Sequence, residues 1–222
     1  MKKIIVILFL FLLCYSCYYI YKKTERKTIN IASIGDNISI DKYLNDISTY
    51  DTTFTNNDYR IKDILNIIEN NQEISNKSIY QVLKKSDIII LSIGMNDIYY
   101  KLNNNIKEIY TYLNNIINDY EKLLKLVKEY NKQVIILGYY NIDNKQDDIF
   151  TYINYKLKKL VTNYKYDYID LNKIFHNNKK ILIKEDNFYL NDIGIKQINK
   201  IILEKIKKYW YNIKSIYYYD LY

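Results

Sequence analysis

Three short apolar runs that each stop on a glycine constrain this chain more than anything else in its sequence. Thr28–Ile34 stops at Gly35, Asp87–Ile93 at Gly94 and Gln133–Leu137 at Gly138. Tyr166–Leu171 is a fourth run of the same kind, and Tyr50–Phe54 a weaker fifth. Runs apolar on both faces suit parallel strands buried between helices. Helical periodicity fills the gaps, over Ile61–Asn70, Ile79–Lys85, Ile106–Tyr130, Ile149–Tyr164 and Ile193–Trp210. Strand–helix alternation of this length predicts an α/β domain: a doubly wound, mostly parallel sheet flanked by helices, of flavodoxin-like type. Nothing resembling a linker or repeat divides it. The Asn- and Lys-rich stretches Asn103–Asn105 and His176–Lys180 read as polar loops, and the tyrosine-bearing tail Ser215–Tyr222 as a packed or frayed terminus.

The chain has no proline and only four glycines among 222 residues. In so glycine-poor a sequence, each glycine marks a backbone constraint. Gly35, Gly94 and Gly138 fall at strand carboxyl ends, where open α/β sheets bind their ligands. Gly194 falls just inside the last helix. The 28 tyrosines accompany an excess of Ile, Lys and Asn, the amino acids of AT-rich codons, and point to no function by themselves.

The N-terminal segment is of another kind. Residues 4–21 carry no charge and one clearly polar side chain, Ser16. Eighteen helical residues rise about 27 Å, close to a bilayer's hydrocarbon thickness. Lys2 and Lys3 precede the run, Lys22 and Lys23 follow it, and Tyr18, Tyr19 and Tyr21 gather at one end, as interfacial aromatics do. The expectation is a single N-terminal transmembrane anchor, residues 1–27, followed by one domain, residues 28–222. A cleaved secretory signal and lipidation at Cys17 are the alternatives. The domain would sit at the cell membrane, outside the cytoplasm. Cys14 and Cys17, the only cysteines, fall within the apolar run, where a C-x-x-C pair has no aqueous helix terminus to activate it.

Charge excludes a nucleic-acid partner. Of the net +8, the first 27 residues hold six bases and one acid, leaving 27 bases against 24 acids interspersed over the domain. That is an ordinary mixed surface.

The residues around the glycines carry a resemblance. Ile34-Gly35-Asp36-Asn37 follows a strand. Gly94-Met95-Asn96-Asp97 follows another, and Asp186-Asn187-Phe188-Tyr189 precedes the final helix at Gly194. In order and placement these resemble the Gly-Asp-Ser, Gly-x-Asn-Asp and Asp-x-x-His blocks of the SGNH/GDSL hydrolases, a family of esterases, lipases and carbohydrate deacetylases. The resemblance covers residues 28 to about 210. It implies acyl transfer, in which serine attacks, histidine takes its proton, aspartate orients the imidazole and N–H donors hold the oxyanion.

Two of those parts are replaced. Asn37 stands at the serine position, and its amide is no nucleophile. Tyr189 stands at the histidine position, and a phenol, with an ordinary pKa of about 10, is a poor base. At the glycine of the family's second block the alignment places Asp58, whose carboxylate would repel an oxyanion; as an alternative role, it would cap Ile61–Asn70. The degenerate site thus comprises Asn37, Asp58, Asn96, Asp186 and Tyr189, supported by Gly35, Asp36, Gly94 and Asp97.

The expectation is a catalytically inactive binding or scaffolding module. A saccharide or an acylated envelope ligand would occupy its cleft, with no cofactor, no metal and no identified protein partner. The alternative is an active ester hydrolase or deacetylase with a non-standard nucleophile or metal-bound water. Ser33, Ser39 and the only histidine, His176, are the substitutes to examine, and Asp36, Asp58 and Asp186 the carboxylates for a hard cation. A third reading is a structural partner in a membrane complex, with its tyrosines as the contact surface.

Overall fold

The computed structural model describes residues 11–19, 29–36, 50–74, 76–104, 108–141, 146–176 and 190–219. Five parallel strands form the central sheet: β1 (Asn30–Gly35), β2 (Tyr50–Thr55), β5 (Ile88–Ser92), β6 (Gln133–Leu137) and β7 (Asp167–Ile169). Their order is β2-β1-β5-β6-β7, and every pairing is parallel. A two-stranded antiparallel ribbon, β3 (Glu73–Ile74) with β4 (Lys77–Ser78), lies apart from it. The winding reverses between β1 and β5, which makes the carboxyl ends of those strands the topological switch point.

Eight helices are described: α1 (residues 11–19), α2 (Ile61–Glu69), α3 (Ile79–Lys85), α4 (Met95–Asn104), α5 (Ile109–Lys128), α6 (Asp147–Asn163), α7 (Leu171–Phe175) and α8 (Asp192–Tyr219). The central strands are apolar on both faces because both faces are covered. Ile88, Ile89, Ile90 and Leu91 are all buried, as are Val134, Ile135, Ile136 and Leu137. Helix α5 packs between α2 and α6, presenting Leu113, Ile116, Tyr120, Leu123, Leu124 and Val127 to the core. Helix α8 buries Ile198, Ile202 and Ile206. It is tied to the amino ends of two strands by the Lys205–Asp167 ion pair at 2.8 Å and by Gln133 donating to the Tyr209 hydroxyl.

The strand positions follow the expected runs, β6 and α3 to the residue. Three elements differ. The stretch after Gly94, including Asn103 and Asn104, is helix α4 rather than loop. Its start is stabilised by the Asp36 carboxylate, a partner about 60 residues away in sequence. The long helical stretch over Ile106–Tyr130 contracts to α5, starting after Glu108 in a left-handed conformation (φ 60°). Tyr166–Leu171 yields a three-residue strand, because Asp170 accepts from the Lys173 N–H at 3.0 Å and starts α7.

In α1 every side chain is exposed, Phe11 and Tyr15 among them. Its Ser16 hydroxyl donates to the Leu12 carbonyl at 2.8 Å, within the helix itself. No helix among the described residues is long and apolar enough to cross a membrane; residues 4–10 and 20–21 of the expected span lie outside them.

Tyrosine serves as a partner for surface cations. The Arg60 guanidinium lies 4.0 Å from the Tyr100 ring centre, and Lys84, Lys101, Lys128 and Lys156 lie 5.3–5.7 Å over Tyr80, Tyr112, Tyr164 and Tyr152.

Candidate active site at the strand ends

Backbone contact, not chemistry, fixes the first glycine. A Cβ on Gly35 would overlap the carbonyl oxygen of Ser92 on the neighbouring strand. Where β1 and β5 run this close, only hydrogen fits at position 35. Asp36 follows. Its N–H donates to the Ser92 carbonyl at 2.7 Å, and its Oδ2 accepts from the N–H groups of Gly94 (3.0 Å) and Met95 (2.9 Å). This carboxylate therefore ties the end of β1 to the first turn of α4, satisfying N–H groups a helix start leaves orphaned. Burial pushes its pKa up to about 7, against the lowering effect of those N–H groups.

Gly94 is the second constraint. Its φ is +110°, and a Cβ would come within 2.5 Å of the Tyr139 hydroxyl. Two residues on, Asn96 is half-buried. Its amide nitrogen donates to the carbonyls of Asn57 (2.5 Å) and Tyr59 (2.8 Å). An amide carries two N–H bonds, so both are engaged in holding the 57–59 loop. Asp97, buried, turns the other way: its Oδ2 accepts from the Ile61 N–H at 3.1 Å and so caps α2. Burial raises its pKa to about 6, against the opposing pull of the Ile61 N–H and Arg60.

The expected capping role of Asp58 is corrected here. Asp58 is exposed, and its backbone N–H donates to the Asn56 side chain at 3.0 Å. The start of α2 is held instead by Asp97 and by Asp63, which accepts from the Arg60 N–H at 2.8 Å. Ser33 is fully buried within β1 and its hydroxyl has no partner, so it is not placed to attack anything. Asn37, Ser39, Asp186 and Tyr189 lie outside the described residues. Among the described residues no three His, Cys, Asp or Glu side chains converge on a metal position; Asp36 is committed to backbone N–H groups and Asp58 faces solvent.

The crevice beside these loops is small. Asp36, Ser92, Met95, Gly138, Tyr139 and Tyr140 enclose about 10 Å³, about enough for one water. The Tyr139 and Tyr120 hydroxyls are buried without partners, and burial raises the pKa of both well above the ordinary phenol value.

A larger hollow of about 560 Å³ lies between α6 and α7, with His176 on its rim. His176 is exposed and ends α7. Sequence reading named it only as a substitute base and did not foresee the hollow. The one local signal was the Asp170-to-Lys173 helix start beside it.

No family model matches the sequence, and no curated protein does. Solved structures do. An acetyl xylan esterase superposes with a TM-score of 0.64 at 19% identity, over 80% of this chain and all of that one. The acetylxylan esterase of Geobacillus stearothermophilus gives 0.62 at 16%, over 80% and 94%. An alpha/beta hydrolase enzyme from the metagenome of Lake Arreo, Spain, gives 0.60 at 12%, over 79% and 94%. Two further matches are catalytic mutants of the Geobacillus enzyme, one altered at a serine and one at a histidine. At these identities the likeness speaks for the fold, and with the Gly-Asp and Gly-x-Asn-Asp blocks in place at the switch point, that fold is the SGNH-hydrolase-like one.

Proposed function

We propose that this is an esterase-like domain without hydrolytic turnover, held at the membrane by its N-terminal segment and acting there as a binding or scaffolding module. One observation carries the loss of chemistry: both amide hydrogens of Asn96 are bound to the carbonyls of Asn57 and Tyr59. An oxyanion needs free donors aimed at it, and the side chain at the expected donor position is a loop clamp. The sequence agrees, with Asn37 and Tyr189 at the nucleophile and base positions. In the similar Geobacillus enzyme, catalytic mutants fall at a serine and a histidine. Removing such a serine or histidine costs about six orders of magnitude in turnover.

The anchor reading draws on α1. A helix with all its apolar side chains exposed, and its serine hydroxyl bonded to its own backbone, is the form a chain takes in lipid, where no water satisfies polar groups. The domain would then face the cell envelope, and a saccharide or acylated envelope ligand is the proposed occupant of its cleft.

The test is hydrolysis of p-nitrophenyl acetate and butyrate by the full chain in detergent, beside an Asn37→Ser/Tyr189→His variant. The expected result is no turnover above buffer from the parent. Parent turnover that persists through purification and is abolished by Asp186→Ala would overturn the reading.

A further inference from the structure

The hollow between α6 and α7 has a composition its neighbours do not explain. Its acceptors are mostly taken. The Asn154 Oδ1 accepts from the Tyr139 N–H and the Tyr168 hydroxyl, both at 2.8 Å, and its amide nitrogen donates to the Tyr139 carbonyl. The Asn172 Oδ1 accepts from the Asn141 N–H at 3.0 Å. One Asp170 oxygen caps α7.

Apart from the Asn154 nitrogen, its side-chain donors have no partner among the described residues. Because the Asn141 N–H fixes which end of the Asn172 amide is oxygen, the Asn172 nitrogen is left as a donor. Lys158 on α6 and Lys173 on α7 line the same hollow, are both exposed, and have no carboxylate partner among the described residues. Thr151, Tyr155 and His176 complete the lining. Two ammonium groups and an amide face one remaining carboxylate oxygen, of Asp170. A ligand matching this set is rich in acceptors and negatively charged. The volume, about 560 Å³, lies within the range of small-molecule sites and exceeds what a bare oxyanion fills. The Tyr155 ring, 64% exposed, offers a flat apolar face to the carbon skeleton of such a ligand.

We propose that the hollow between α6 and α7 binds a phosphate-bearing sugar or polyol, its phosphate held by Lys158 and Lys173 and its hydroxyls by Asn172 and Thr151. Neither Asp58 nor Asn96 lines it, and the binding it predicts requires no ester turnover at the strand ends.

The experiment is isothermal titration calorimetry of the full chain in neutral detergent at low salt, with glucose 6-phosphate, glucose and inorganic phosphate as probes. Saturable binding of glucose 6-phosphate is expected, with no measurable binding of glucose and weaker binding of phosphate. Lys158→Ala/Lys173→Ala should weaken glucose 6-phosphate at least tenfold. Asn172→Asp, which exchanges a donor for a charge of the ligand's own sign, should do likewise. Circular dichroism confirms that each variant is folded, and either alone suffices as the test. Absence of saturable glucose 6-phosphate binding, or binding unaltered in either folded variant, would overturn the proposal. Phosphate binding as tightly as glucose 6-phosphate would overturn its sugar or polyol part.

Discussion

The strand-end crevice and the α6–α7 hollow lie on either side of Asn154 and Tyr139, yet they are built on opposite principles. At the strand ends, Asp36, Asn96 and Asp97 each reach across to backbone groups of another segment, and about 10 Å³ is left over. Between α6 and α7 the space is some fifty times larger, and Lys158 and Lys173 on its walls have no carboxylate partner among the described residues. The first region uses its polar groups to hold the chain together. The second has polar groups to offer. Motif residues need not lie where a ligand has room, and here the recognisable motif and the available volume have separated.

Substitutions should separate the two regions just as clearly. The largest effect is expected at Gly35→Ala, where the added carbon meets backbone that cannot swing aside. A loss above about 4 kcal/mol, or failure to accumulate folded protein, should be seen by urea denaturation. Asp36→Ala comes next. It leaves two buried N–H groups, of Gly94 and Met95, without an acceptor, at a cost of about 2–4 kcal/mol by the same measurement. Asn96→Ala releases the 57–59 loop and should cost about 1–2 kcal/mol, with faster proteolysis confined to that loop. Lys158→Ala/Lys173→Ala should change stability by no more than about 0.5 kcal/mol, since both side chains are exposed and neither has a carboxylate partner among the described residues. A double variant that destabilised the domain as much as Asp36→Ala would erase the distinction.

Acidity sharpens it further. The folded-state pKa of Asp36 is raised to about 7 from an ordinary 3.8, and that of Asp97 to about 6. Between these limits the folded chain binds protons that the unfolded chain has released. Stability contributed by the two groups is therefore complete below about pH 4 and lost as pH rises through 6 to 7. The melting temperature should fall between pH 5 and pH 8, and Asp36→Asn should flatten that slope.

Much of the fold was legible because it is written locally. Buried parallel strands leave uninterrupted runs such as Ile88–Ser92, and a single glycine can report a close approach, as Gly35 does. What escaped depends on partners far away in sequence. Helix α4 begins in a Gly-x-Asn-Asp block that reads as loop until Asp36 arrives to hold its first turn, although Met95, Ile98 and Leu102 were already at helical spacing. Asp58 looked like a cap by position, but Asp97 occupies that role from another helix. The α6–α7 hollow left only the Asp170-to-Lys173 helix start as a local signal, because it depends on which acceptors the donors of Asn141, Tyr139 and Tyr168 engage. Asn37, Asp186 and Tyr189 lie outside the described residues, and their roles remain those the motif implies.

The overlap at Gly35 has a consequence for how such chains are recognised. Gly35, Asp36, Gly94 and Asp97 are each accounted for by a backbone that must be approached, tethered or capped, with no substrate in the explanation. A sequence signature made from them is a certificate of architecture. It will gather proteins by how their first and third core strands are laced together, whatever any of them does with an ester.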